Sequence, residues 1–357
     1  MKRYFAFILL TITVFSCLVS AHEGHEHPPH AERHVVSERS EVNENPNLQP
    51  PFFLVAMQAE PEVGNPAAAV HFEKFKNVKV RQTADSLVVE SNGLPTHNMM
   101  IGIRNWQQQV PISQPFTGAN AWKIPLHPEL AANPISVRKK ALRGAIALAV
   151  NGVPIFCALN NRGEDSNLLG ELDKWGGHCG RGDDYHYHVA PVHLEKIVGK
   201  GNPIAYALDG FPIYGYTNAD GSPVGKLDEF NGQFDENGNY HYHATEKFPY
   251  VNGGLRGEVT MRGDQIDQPR DSPIRSGQRP LRGAKITGFK TTDSTSVLKY
   301  ELRGKEGTIS YSPAGTNAWK FTYADPDGRT RTETYERRAQ RQDRNGNGRR
   351  RERPPRR

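Results

Sequence analysis

Hydrophobic positions along this chain come in short alternating bursts separated by turn residues, and long helical stripes are missing. From about Val70, segments such as Ser86-Leu87-Val88-Val89-Glu90 and Met99-Met100-Ile101-Gly102-Ile103 have the spacing of strands, bounded by Asn92-Gly93 and Leu94-Pro95. Leu142 to Phe156 reads as a further strand region. Toward the C-terminus, Ala284 to Phe289, Val297 to Leu302, Ala318 to Tyr323 and Arg331 to Tyr335 form four short β-type runs, with a turn at Pro326-Asp327-Gly328. The pattern predicts a β-rich α+β fold of short strands and long loops, followed by a small C-terminal β meander.

The flanking segments differ in character. An apolar run from Tyr4 to Val19, preceded by Lys2 and Arg3 and followed by Val19-Ser20-Ala21, reads as an export signal over 1–21, too short to span a bilayer comfortably. The expected location is therefore secreted or periplasmic, with no transmembrane segment after cleavage. The alternative is a lipoprotein anchored through Cys17. Residues 22–66 are polar, rich in Pro and Glu, and without a sustained period, so they are expected to be a disordered leader. The remaining expected units are a central module over 67–263, a Pro-, Arg- and Gly-rich linker over 264–283, a small β domain over 284–336 and an Arg-rich tail over 337–357.

Within the central module the chain repeats itself. Ile146 to Phe156 lies over Ile204 to Tyr214 with six of eleven positions identical, and Gly170 to His188 lies over Gly225 to His243 with eight of nineteen. Ordinary residue usage gives roughly one or two matches over such a span. Chance is a poor account, and the pattern predicts an internally duplicated module with copies over 146–193 and 204–248. Two such copies packed about an approximate two-fold axis are expected to bring their corresponding segments side by side.

Each copy carries Tyr-His-Tyr-His a few residues before its end. In a strand alternate side chains face opposite ways, so His186 and His188 share one face and Tyr185 and Tyr187 the other; His241, His243, Tyr240 and Tyr242 follow the same rule. Imidazole is the commonest protein ligand for zinc and copper. Four imidazoles converging on one ion, with the tyrosines packed beneath, is the leading expectation; a metal-free tyrosine and histidine hydrogen-bond network is the alternative. Where the copies differ, His178 stands against Gln233 and Asn151 against Asp209. His178 and Asp209 are thus added candidate ligands, with a surface loop histidine and a turn residue as their plainer readings. Asp173 and Asp228, matched across the copies, are candidates for acceptors that fix the histidine tautomers, or else for capping residues.

These residues resemble a known family. Tyr185-His-Tyr-His188, Tyr206-Ala-Leu-Asp-Gly-Phe-Pro-Ile-Tyr-Gly215, Leu227-Asp-Glu-Phe-Asn-Gly232 and Tyr240-His-Tyr-His-Ala-Thr245 are similar to the YHYH-domain proteins, mostly exported bacterial proteins, over about Val70 to Met261. The resemblance implies export and a histidine-centred site, and names no substrate.

Charge changes the picture of partners. The chain carries a formal +6, but ten arginines against Asp343 and Glu352 put +8 in the tail and Lys2 and Arg3 put +2 at the start, leaving −4 for the body between. A folded nucleic-acid surface is therefore not expected, whereas the tail suits an anionic cell-envelope surface. The histidines at 22, 25, 27, 30 and 34 suit loose metal capture. Cys157 and Cys179 are the two cysteines outside the signal, either bridged or buried as thiols. Three functions follow as expectations: an extracytoplasmic copper- or zinc-binding protein, a metal-dependent hydrolase or copper oxidoreductase using the same site, and a metal-free adhesion or carbohydrate module presenting Trp106, Trp122, Trp175 and Trp319.

Overall fold

A computed structural model describes residues 67–137 and 142–337. The export signal, Cys17, the histidine-rich leader and the arginine tail beyond Arg337 lie outside the described residues. Among the described residues the fold is β-rich, with two four-residue α-helices, Ala69–Phe72 and Glu195–Val198, and several sheets. Among the described residues no helix is long and apolar enough to cross a membrane.

After the first helix the described residues form a three-stranded sheet, β1 (Val78–Gln82), β2 (Ser86–Ser91) and β3 (Trp122–Pro125), in that order. Then follow β4 (Leu130–Ser136), β5 (Ala145–Ala149), β6 (Pro154–Phe156), β7 (Gly177–Cys179), β8 (Tyr185–Tyr187), β9 (Ala205–Ala207), β10 (Pro212–Tyr214), β11 (Gly232–Phe234) and β12 (Tyr240–His243). The last eight form one sheet in the order β11-β12-β10-β9-β5-β6-β8-β7. Read outward from the middle, both sides repeat one pattern: a hairpin (β5 with β6, β9 with β10), a parallel step (β6 to β8, β10 to β12), then an antiparallel edge strand (β7, β11). The halves meet in the antiparallel β5/β9 pair, where Leu148 faces Tyr206 directly. These two residues are equivalent in the sequence overlay, so an approximate two-fold axis passes through their pair. Every residue of β5 and β9 is buried, and their alanines let layers pack closely on both faces of the sheet.

β13 (Gly254–Gly257) pairs with β4, and β14 (Met261–Arg262) with β15 (Gln265–Ile266). β16 (Lys285–Thr292), β17 (Thr295–Leu302), β18 (Lys305–Pro313), β19 (Ala318–Ala324) and β20 (Thr330–Glu336) make an antiparallel meander in chain order. Ile286, Leu298, Tyr300, Ile309, Tyr311, Phe321 and Tyr323 are buried in the same hydrophobic core as β5 and β9. The contact surface is the segment from Gly102 to Ile112: Gly102 and Ile103 exchange backbone hydrogen bonds with Ile286, Trp106 packs on Tyr300, and the Tyr311 hydroxyl donates to the Pro111 carbonyl. Residues 264–283, read from sequence as a linker, bury Ile266, Ile274 and Arg275, and Gln268 bonds both backbone groups of Ala145.

One expected strand is absent. Met99–Ile103 is a turn that buries Met99, Met100 and Ile103, with Met100 at φ 69° and its N–H donated to Asp173. Its apolar residues fill the core as a strand would, but a buried carboxylate captures the backbone donor that a ladder would have used.

Candidate metal centre

The first Tyr-His-Tyr-His motif forms β8 and divides its side chains between two faces. On one face, His178 of β7 sits directly opposite His186 of β8, and His188 lies two residues further on. The ring nitrogens nominated as ligands from His178, His186 and His188 lie within 4.8 Å of one another. Phe156 stacks on His186 at 3.9 Å and 13° and walls one side.

The tautomers of two rings follow from their partners. Nδ1 of His178 is 3.0 Å from the Glu171 carbonyl, and Nδ1 of His188 is 2.6 Å from the Cys157 carbonyl. A carbonyl can only accept, so each Nδ1 carries the proton and each Nε2 presents a lone pair. Those two Nε2 atoms are 3.1 Å apart. His186 Nδ1 likewise faces an acceptor, the Asp184 carbonyl at 3.0 Å. Burial pushes His178 down to about 3, with the nearby His186 adding to the effect, and holds His188 well below the ordinary imidazole range. Near neutral pH both therefore stay uncharged, the form that binds metal.

The second motif, on β12, repeats the arrangement with one exchange. His243 Nδ1 lies 3.1 Å from the Gly215 carbonyl, and Gln233 of β11 stands where His178 stands in the first half. The Gln233 amide nitrogen lies 3.2 Å from His243 Nε2, 3.3 Å from His241 Nε2 and 2.7 Å from the Asn218 Oδ1. An amide donor thus fills the position between the two rings.

The two motifs do not converge, which corrects the four-histidine expectation. β8 and β12 are separated by β6, β5, β9 and β10, so their histidines are five strand spacings of about 4.8 Å apart, on the order of 20 Å. The axis runs through the Leu148/Tyr206 pair and throws the motifs to opposite wings. His186 and His188 are joined by His178, while His241 and His243 stay with Gln233.

The tyrosine faces correct the carboxylate roles. Asp173 accepts from the Tyr185 hydroxyl at 2.8 Å and from the backbone of Met100 and Trp175; Asp228 accepts from Tyr240 at 2.8 Å and from Phe230 and Gly232. Both order tyrosines and turns, and the histidine tautomers are set by backbone carbonyls instead. Asp209 also lies on the tyrosine face, accepting from Tyr242 at 2.5 Å and from Gly257 and Phe211, so it is no metal ligand in this arrangement. Burial raises its carboxyl to about 6. In the first half Asn151 bonds Tyr187, whose hydroxyl also meets His97 Nε2 at 2.8 Å. His97, Phe156 and Glu171 were not singled out from sequence; they lie outside the motif and carry no spacing signal.

The tyrosines need room, and matched glycines supply it. A Cβ on Gly177 would stand 2.5 Å from the Tyr185 hydroxyl oxygen, and one on Gly232 would stand 2.0 Å from that of Tyr240. Gly177→Ala and Gly232→Ala are each expected to lower stability by about 1–3 kcal/mol, the range for overpacking a filled core, as read by urea denaturation. Parental midpoints would show that the tyrosines shift freely.

Cys157 and Cys179 are both buried free thiols. Trp106 and Trp122 are core residues at 2 % exposure, which removes them as stacking platforms for a glycan. No curated protein and no solved structure matches the chain. The family that does match is the one described as YHYH protein, and it matches over residues 121–223, from β3 through the first histidine motif to just beyond β10.

Proposed function

We propose that this is an extracytoplasmic transition-metal-binding protein, its copper or zinc ion held by His178, His186 and His188. One observation carries the reading: the Nε2 lone pairs of half-buried His178 and buried His188 face each other at 3.1 Å while both Nδ1 protons are committed to carbonyls. Moving a proton to either Nε2 would leave a bare Nδ1 against a carbonyl oxygen, and adding one would put a cation where burial opposes charge. A metal ion relieves all of this at once. Metal–nitrogen bonds of about 2.0–2.1 Å at tetrahedral angles place ligand nitrogens roughly 3.4 Å apart, close to the 3.1 Å between His178 and His188, with His186 inside the same 4.8 Å cluster.

Three imidazoles leave a coordination position open, and that favours a second reading, in which the ion activates water or binds substrate there. We further infer that the two wings descend from an internal duplication, in which the second lost its ligand when glutamine took the place of His178. The placement outside the cytoplasm rests on the export signal read over 1–21, and an anionic envelope surface is the proposed partner of the arginine tail.

Gln233→Ala and Gln233→His separate these ideas from a purely structural histidine network. In a chain whose leader histidines are replaced by serine, elemental analysis is expected to give one tightly held ion in the parent and in Gln233→Ala. Gln233→His is expected to add a second, more weakly held ion. A parent free of metal and of native stability contradicts the proposal.

A further inference from the structure

The two wings share Asp, Tyr, Gly and both motif histidines, and besides the exchange at 178/233 they differ in what holds the residue at that position. The difference lies in the loop that follows the hairpin. In the first half, Glu171 is buried at 6 % exposure, and its carboxylate accepts from Arg162 at 2.8 Å, from Asn105 at 2.8 Å and from Asn160 at 3.3 Å. The same residue's backbone carbonyl receives His178 Nδ1 at 3.0 Å. In the second half the equivalent residue is an exposed lysine, Lys226, and the loop is three residues shorter. Asn218, the counterpart of Asn160, has turned its Oδ1 onto the Gln233 amide at 2.7 Å.

We infer that Glu171, locked by Arg162, Asn105 and Asn160, is the positioning residue that makes the first wing competent for metal. Its side chain touches no ligand. By tying down the peptide that carries the carbonyl, it fixes the ring plane of His178 and aims Nε2 at the point shared with His188. Outer partners of this kind that orient a ligating histidine typically change metal affinity by about 10- to 100-fold when removed. The turn from Asn160 to Glu164 has an equal-length counterpart from Asn218 to Ser222, so the lock is made by side chains that differ between the halves, with Arg162 and Asn160 both bonded to Glu164 as well. The inference rests on the metal reading above, and its test keeps the two apart.

The full chain with its leader histidines replaced is titrated with Zn²⁺ against a chelator and, separately, loaded with Co²⁺, whose visible absorption reports ligand geometry. Glu171→Ala is expected to bind Zn²⁺ about 10- to 100-fold more weakly than the parent and to change the Co²⁺ spectrum. Glu171→Gln keeps an acceptor for Asn105 and Arg162 and is expected to recover most of both. If Glu171→Ala does not fold, Arg162→Ala decides, because that side chain is 47 % exposed and its removal leaves the core intact; a loss of about 10-fold is expected. A folded variant with parental affinity and an unaltered Co²⁺ spectrum overturns the inference while leaving the metal reading standing. A parent that binds no ion overturns the metal reading itself.

Discussion

Replacing His188 with alanine is expected to weaken metal binding by roughly 100- to 1,000-fold, whereas the same change at His243 leaves it within about twofold of the parent. Structural zinc sites with four ligands bind with about 10–16 kcal/mol, so one ligand of a small set contributes on the order of 3 kcal/mol. His188 is the firmer test of the triad because it is 4 % exposed, its Nδ1 is fixed on the Cys157 carbonyl at 2.6 Å, and its Nε2 closes the shortest distance in the cluster. His243 is the matched control: it is equally buried, occupies the equivalent place on the other wing and has a carbonyl on its own Nδ1. Either alanine strands a carbonyl and opens a small cavity, costing about 1–3 kcal/mol of folding stability. Loss of stability alone therefore does not discriminate, and the competition titration does. Equal weakening by both substitutions, or by neither, would sink the assignment of the ion to the first wing.

What could be read from sequence was local. The alternation in Tyr185–His188 fixes which rings share a face, because the side-chain period of a strand is 2; the overlay of the two copies points to the exchange at 178/233 directly. What escaped was long-range. Which strands meet at the axis depends on the alanine-rich β5 and β9 burying both faces, and nothing in Tyr-His-Tyr-His shows that these two, and not the motif strands, form the central pair. For Asp173 and Asp228 the capping alternative is the one found: each accepts from turn N–H groups and from an i+12 tyrosine, and neither reaches an imidazole. β18 carries no clear strand signal because Lys305, Glu306 and Gly307 dilute its alternation, although Ile309 and Tyr311 are both buried in the core. Glu171 gave no signal at all, since a carboxylate held by Asn105, Asn160 and Arg162 has partners both near and far along the chain.

Arg275→Ala is expected to destabilise the fold by about 3–5 kcal/mol, the range for breaking a buried ion pair by removing one partner. For a domain of this size that corresponds to a fall of roughly 10 °C in the thermal midpoint. Arg275 lies in the stretch between the central sheet and the meander, and its side chain is 2 % exposed against 4 % for Asp183. Its guanidinium holds both carboxylate oxygens, at 2.7 and 2.8 Å, donates to the Tyr323 hydroxyl of β19 at 3.0 Å, and lies over the Phe321 ring. Asp183 also accepts from Val110 and sits at φ 58°, three residues before His186, so one ion pair ties the meander to the turn that leads into β8. Burial already raises the Asp183 carboxyl above its ordinary range even with the arginine in place. Without Arg275 it must rise further, and this sets the sign of a pH test. A carboxyl whose folded value exceeds its unfolded value of about 3.9 costs stability above the folded value and nothing below the unfolded one. The deficit of Arg275→Ala relative to the parent should therefore be larger at pH 8 than at pH 4. Adding Asp183→Asn, which removes the stranded charge and tolerates the left-handed backbone, should restore part of the loss at pH 8 and little at pH 4. Urea midpoints of the three proteins at both pH values check this, and a deficit independent of pH would mean that lost packing, and not the uncompensated carboxylate, governs the junction.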